Sequence, residues 1–288
     1  MSNRTQRVGI VAGFCLFATF AFAQDISVKS GEKIAFLGDS ITAGGMGSPT
    51  GYCRLVISGL EANGVSAAPI GAGVSGHKSN QMLARLDHDV LSKKPEWMTL
   101  SCGVNDVWHG ANGVPLDAYK KNITEIVDKA MAAGIKVVIL TSTMIGEDQA
   151  NPNNQKLVAY NDFLRELAKE KKCALADLNA DMQETLKQMG ANPKNNTLTG
   201  DGVHMNPLGD MMMAAGILKS FGLNEEQLKK ARDKWLDTPN AMETVGKARI
   251  SIRQFQQLNA YAAQQKRPLP ELLNDAVAKA VESMLKQQ

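Results

Sequence analysis

Cysteine, histidine and clustered positive charge are all scarce in this 288-residue sequence, and each scarcity removes a class of function. There are four cysteines and four histidines, with no CxxC pair and no HExxH. His77, His88, His109 and His204 also lack metal-ligand spacing, so no structural or catalytic metal is expected. With so few cysteines, stability has to come from a hydrophobic core rather than a disulfide framework. No block of five or six basic residues occurs and the formal charge is only +3, which disfavours nucleic acid or an anionic membrane as a partner. A phosphate-cradling GxxxxGK[ST] loop is missing too, since no lysine lies between Gly38 and Gly47.

Long apolar runs are absent except at the start, where Arg4 and Arg7 precede a stretch from Val8 to Phe22 that ends in Ala21-Phe22-Ala23. The stretch is short for a bilayer span of roughly 20 residues. It predicts an export signal over residues 1–23, cleaved after Ala23, and hence a periplasmic or extracellular protein with no stable membrane insertion. Cleavage removes Cys15 and leaves Cys53, Cys102 and Cys173, an odd set that one chain cannot fully pair.

What remains is a regular alternation. Short apolar runs at Lys33–Leu37, Ala67–Ile70, Trp97–Ser101, Lys136–Ser142 and Cys173–Leu178 read as five buried strands. Amphipathic segments at Tyr52–Asn63, Asn80–Leu91, Leu116–Ala133 and Asn154–Lys171 read as the helices between them. The pattern predicts a doubly wound α/β domain over residues 24–223, with a parallel sheet between two helical layers. In such sheets, sites form outside the carboxyl ends of the strands. From Asn224 to Gln288 the alternation gives way to a Gln-, Lys- and Glu-rich helical extension, a candidate for oligomerisation. Its faint strand-helix-helix pattern from Ala248 to Leu285 does not make a DNA-binding module in a chain with so little positive charge.

Four polar or glycine clusters follow strands: Gly38-Asp39-Ser40, Gly73-Val74-Ser75-Gly76, Gly103-Val104-Asn105-Asp106 and Asp201-Gly202-Val203-His204. Ser40 suits two roles. It is a good N-cap, and on a strand-to-helix turn it is also a good nucleophile, because nearby N–H groups favour a developing oxyanion. Gly71 to Gly76 literally fits the dinucleotide pattern GxGxxG. It follows the second strand, however, and the next strand ends without the acidic residue that binding a ribose requires. Asn105 is either a turn residue or a neutral hydrogen-bond donor suited to an oxyanion. Asp201 precedes His204 by three residues, so one loop lets a carboxylate hold one imidazole nitrogen while the other faces a nucleophile. His88 reads as a residue on a solvated helix face.

Taken in order, the GDS serine, the glycine at 76, the GxND block and the DxxH block resemble those of the SGNH, or GDSL-type, hydrolase family. The likeness covers roughly Lys33 to Phe221, and the chain's Gly-Asp-Ser-Ile departs only conservatively from GDSL. It implies a flavodoxin-like three-layer fold and a serine esterase without a cofactor. Ser40 would be the nucleophile and His204 the base, oriented by Asp201. The oxyanion hole would comprise the Ser40 and Gly76 N–H groups and the Asn105 side chain. Asp39 reads as structural rather than catalytic, and stands with His77, Trp108 and His109 among the residues that could line the substrate pocket. Exported relatives of this kind point to an acylated glycan or small-molecule substrate, most of all O-acetylated carbohydrate. A general short-chain esterase or lipase is the alternative, and a non-catalytic glycan-binding module the alternative of another class.

Overall fold

Five parallel strands run in the order β2-β1-β3-β4-β5, formed by Lys33–Gly38 (β1), Ala68–Gly73 (β2), Trp97–Ser101 (β3), Lys136–Leu140 (β4) and Ala174–Ala176 (β5). This is the flavodoxin-like order expected, in a computed structural model that describes residues 26–192, 196–236, 238 and 252–287. The export signal expected over residues 1–23 lies outside the described residues. Among the described residues no helix is long and apolar enough to cross a membrane.

The helices are Ser40–Gly47 (α1), Tyr52–Glu61 (α2), Ser79–Asp89 (α3), Val104–Trp108 (α4), Leu116–Ala132 (α5), Pro152–Lys171 (α6), Leu178–Gln188 (α7), Pro207–Ser220 (α8), Glu225–Leu236 (α9), Ile252–Gln265 (α10) and Leu269–Leu285 (α11). In one layer α2 packs against α8 and α9; in the other α3 packs against α5, and α5 against α6. The central strands are covered on both faces, so Ile34, Ala35, Phe36 and Leu37 of β1 and Val138, Ile139 and Leu140 of β4 are all fully buried. That is why their sequences are continuous apolar runs rather than alternating ones.

Three of the boundaries that differ from the sequence reading have a structural cause. The fifth strand stops at Ala176 because Asp177 caps α7, accepting from the Ala180 N–H, and is gripped by the Arg165 guanidinium. The second strand runs on to Gly73, so half of the GxGxxG lookalike is strand rather than phosphate loop. At Gly73 a side chain would strike the backbone of Thr42 and Ala43, so this glycine lets α1 lie against β2. The third concerns the domain boundary expected between 223 and 224. Leu228, Ala231 and Trp235 of α9 are buried, Trp235 Nε1 donates to the Leu55 carbonyl of α2, and the compact unit ends at Asp237. The second unit, Thr238–Gln288, contains α10 and α11.

One long-range cap ties the first layer together. Helix α2 starts at Gly51 without a side-chain cap of its own, and Asp210 of α8 accepts from the Tyr52 N–H at 2.9 Å instead. Burial pushes the Asp210 carboxyl up from the ordinary 3.8 to about 7, only partly offset by that N–H. Between those values the folded chain keeps a proton that the unfolded chain has lost, so stability falls as pH rises through the window. The cost approaches about 4 kcal/mol above pH 7, less whatever the site relaxes. Asp210→Asn keeps an acceptor for Tyr52 but carries no charge. Its melting temperature should match or trail wild type at pH 4 and gain on it steadily up to pH 8; a difference independent of pH would refute the assignment.

Candidate active site

The sheet order reverses direction between β1 and β3, and the loops that leave these two strands carry Ser40 and Asn105. A crevice at such a switch point is where a doubly wound sheet places its chemistry. Ser40 is the first residue of α1, but it does not cap the helix. Asp39 does, its Oδ1 accepting from the Ile41 N–H at 2.9 Å. The serine hydroxyl is therefore left for another partner, while the Ser40 N–H, in the first helical turn, has no intrahelical acceptor.

That partner is His204. Its Nε2 lies 2.8 Å from Ser40 Oγ, and its Nδ1 lies 2.7 Å from Asp201 Oδ2. The other Asp201 oxygen accepts from the Val203 and His204 N–H groups. Partial burial would raise the Asp201 carboxyl, but the imidazole and the two backbone donors outweigh it and hold the group below its ordinary value. An ionised Asp201 can only accept, which puts the imidazole proton on Nδ1 and leaves the Nε2 lone pair for the serine O–H.

The loop bearing Asp201 and His204 is held by a residue with no motif to announce it. Glu147 follows β4 and is buried; its Oε1 accepts from the Leu198 and Thr199 N–H groups and the Thr199 hydroxyl, and its Oε2 from the Thr197 N–H. The Gly146 N–H adds a bond of 2.7 Å to the Gly202 carbonyl. These bonds to several donors fix the backbone of a loop whose Leu198 and Val203 side chains are anchored in the core.

Gly76 sits in a turn anchored on both sides. The Val74 N–H donates to the Gly38 carbonyl, and the His77 carbonyl accepts from Asn105 Nδ2 at 3.3 Å. The turn takes φ +75° at Gly76, a left-handed conformation that favours glycine. Further along, Asp106 Oδ1 accepts from both the N–H and the hydroxyl of Ser79, and Asn122 donates to the same hydroxyl. Burial raises the Asp106 carboxyl, with these donors pulling it back down. In the GxND block, Asn105 thus faces the site and Asp106 secures the loop that carries Gly76.

Asn105 is buried, and its amide orientation follows from its neighbours. Nδ2 donates to Asp39 Oδ2 at 3.2 Å, and Oδ1 lies 3.2 Å from His109 Nε2. Burial pushes Asp39 up to about 6, against the Ile41 N–H and the nearby His204. At only 2 % exposure, Asp39 cannot line a substrate pocket; it caps α1 and orients Asn105. Of the other three residues expected to line it, His77 and His109 lie beside Asn105, whereas Trp108 is 46 % exposed with its ring edge-on to His109. The His88 side chain is exposed and pairs with Asp89. Arg85, which the sequence reading passed over, donates to the Gly38 carbonyl from one guanidinium nitrogen and to the Ala72 carbonyl and Asp89 from another. Cys53, Cys102 and Cys173 are all free thiols. No group of three or more metal-ligating side chains forms among the described residues.

Comparison with known proteins identifies relatives of the chain. A model described as the GDSL-like Lipase/Acylhydrolase family matches residues 36–211. An acetylxylan esterase from Geobacillus stearothermophilus is 27% identical over 216 residues, covering 68% of this chain and 97% of that protein. The crystal structure of Axe2, an acetylxylan esterase from the same organism, covers 69% of this chain and 97% of its own at a TM-score of 0.63. That of the acetyl xylan esterase AlAXEase, 34% identical, covers 65% of this chain and 98% of its own at a TM-score of 0.62.

Proposed function

Because the chain belongs to the GDSL-like lipase/acylhydrolase family and is a carboxylic ester hydrolase, we propose that it removes O-acetyl groups from carbohydrate through a Ser40–His204–Asp201 triad. The observation that carries the reading is the unbroken hydrogen-bonded chain from Ser40 Oγ through the His204 ring to Asp201, at 2.8 and 2.7 Å. A non-catalytic glycan-binding module has no use for that chain.

His204 Nε2 takes the hydroxyl proton as Ser40 Oγ attacks the ester carbonyl, and Asp201 stabilises the imidazolium that forms. The ester C–O bond then breaks; the sugar alkoxide leaves with the proton from His204, and acetyl-Ser40 remains. Water loses a proton to His204, attacks the acetyl group and releases acetate, returning Ser40 Oγ–H. The oxyanion at each step is received by the Ser40 and Gly76 N–H groups and by Asn105. One Asn105 N–H stays on Asp39, and the other, in its long bond to the His77 carbonyl, is the one the oxyanion takes over.

An acetylated carbohydrate is favoured by the relatives' recorded substrate and by Trp108, an exposed indole three residues from Asn105 on which a sugar ring can stack. Acetate release should be fastest on acetylated xylo-oligosaccharides within a panel that adds acetylated pectin, mucin, peptidoglycan and p-nitrophenyl esters of increasing chain length. Activity confined to long acyl chains would sink the sugar reading and favour a lipase. The leader-like residues 1–23 support export of this activity, and the same preparation, expressed from the intact chain, should start at Gln24 by mass spectrometry.

A further inference from the structure

His77 and His204 are both imidazoles at this site, yet their Nδ1 atoms face opposite charges. His204 presents Nδ1 to a carboxylate. His77 presents Nδ1 to Arg85, whose Nε–H donates to it at 3.1 Å. A guanidinium can only donate, so the His77 Nδ1 must be the unprotonated nitrogen and its proton must sit on Nε2. Nε2 in turn has no hydrogen-bond partner among the described residues, and His77 is only half-buried.

Both ends of the residue are fixed. The His77 backbone is held by the Val74 carbonyl at its N–H and, until an oxyanion forms, by Asn105 at its carbonyl, and the ring is held by Arg85. Arg85 is itself fixed, since its remaining bonds go to the Gly38 and Ala72 carbonyls at the ends of β1 and β2 and to Asp89. We propose that Arg85 is a positioning residue that locks His77 in its neutral Nε2–H tautomer, and that this N–H, beside the oxyanion turn, binds an oxygen acceptor on the sugar bearing the ester. The substrate half rests on the carbohydrate reading above; the tautomer half does not.

The chemistry of such a donor suits a hydroxyl, ring or glycosidic oxygen. A second protonatable imidazole beside Gly76 would add a positive charge that varies with pH. Arg85 prevents this, because a proton could enter only at Nδ1, where it would displace the guanidinium bond and set two cations side by side. Partial burial and Arg85 together depress the His77 pKa below its ordinary value, with Asp89 acting weakly the other way. The charged groups facing the ring are thus Arg85 and Asp89, and His88 lies beyond, on Asp89. A ring pre-positioned in one tautomer loses little freedom on binding.

Two measurements test the proposal. Nitrogen NMR of the histidine rings in full-length protein should show His77 with a bare Nδ1 and a protonated Nε2, resisting protonation to lower pH than a free imidazole. In Arg85→Met the ring should take up a proton at higher pH than in wild type, with only the depression due to burial left. Arg85→Lys, which keeps the cation but lacks the fixed Nε–H donor, should loosen the tautomer with a smaller rise in the ring's titration than Arg85→Met, and serves if the methionine variant does not fold. Kinetically, His77→Phe should lower kcat/KM on an acetylated xylo-oligosaccharide, relative to p-nitrophenyl acetate, by roughly 5- to 10-fold, mainly through KM, with His77→Gln recovering most of it. A protonated Nδ1 in the wild type overturns the lock, and an unchanged substrate ratio in His77→Phe overturns the donor. If wild type hydrolyses p-nitrophenyl acetate but no acetylated sugar, the carbohydrate reading and the sugar-facing donor fall together, while the ring spectrum still decides the tautomer.

Discussion

Ser40→Ala is expected to lose about 10⁵-fold in kcat on p-nitrophenyl acetate while melting within a few degrees of wild type. The activity loss follows from the triad geometry, since no other hydroxyl lies on His204 Nε2 in the described residues. The retained stability follows from the cap. Asp39 supplies the bond that starts α1, and among the described residues the only side-chain partner of Ser40 is His204. Loss of an N-cap costs about 1 kcal/mol, and Ser40→Ala does not incur it. His204→Ala should lose a similar factor, and the double variant scarcely more, because residues that act as one unit are not additive. A Ser40→Ala protein that keeps a tenth of the wild-type rate would place the nucleophile elsewhere.

The scaffold was legible because its signals are local and periodic. All five strands were found within three residues of their ends, since a strand buried on both faces must be an apolar run, as Ile34–Leu37 is. The site was legible for a different reason: Gly38-Asp39-Ser40, Gly103 to Asp106 and Asp201 to His204 each pack several roles into consecutive residues. What escaped were residues acting at long range. Glu147 bonds to residues 50 to 52 positions away, and Arg85 spans 47 positions to the Gly38 carbonyl. An isolated Glu or Arg on an amphipathic or loop segment carries no period and no motif, so only the folded chain assigns its partners. The capping role misplaced onto Ser40 shows the same limit at short range: adjacent Asp and Ser are both good caps, and the sequence does not say which side chain turns back. The α9 boundary was missed because the buried Leu228, Ala231 and Trp235 are sparse within a charged helix.

Asn105→Ala should cost roughly 100- to 1,000-fold in kcat, with KM little changed, because the donor it removes is needed when charge develops on the carbonyl oxygen. A second effect separates this residue from an ordinary turn asparagine. Removing the amide strips Asp39 Oδ2 of the Nδ2 donor that lies at 3.2 Å, in a place where water hardly reaches. The ionised form of Asp39 loses support and its neutral form does not, so a carboxyl already raised to about 6 rises further. A folded-state value above the ordinary 3.8 means that the folded chain holds a proton which the unfolded chain has released, and stability therefore declines as pH rises through that interval. Asn105→Ala should accordingly lose more melting temperature, relative to wild type, at pH 8 than at pH 5. An alanine variant with less than a tenfold loss in kcat would remove Asn105 from the oxyanion hole. An equal stability loss at both pH values would mean that Asp39 does not depend on the amide for its charge.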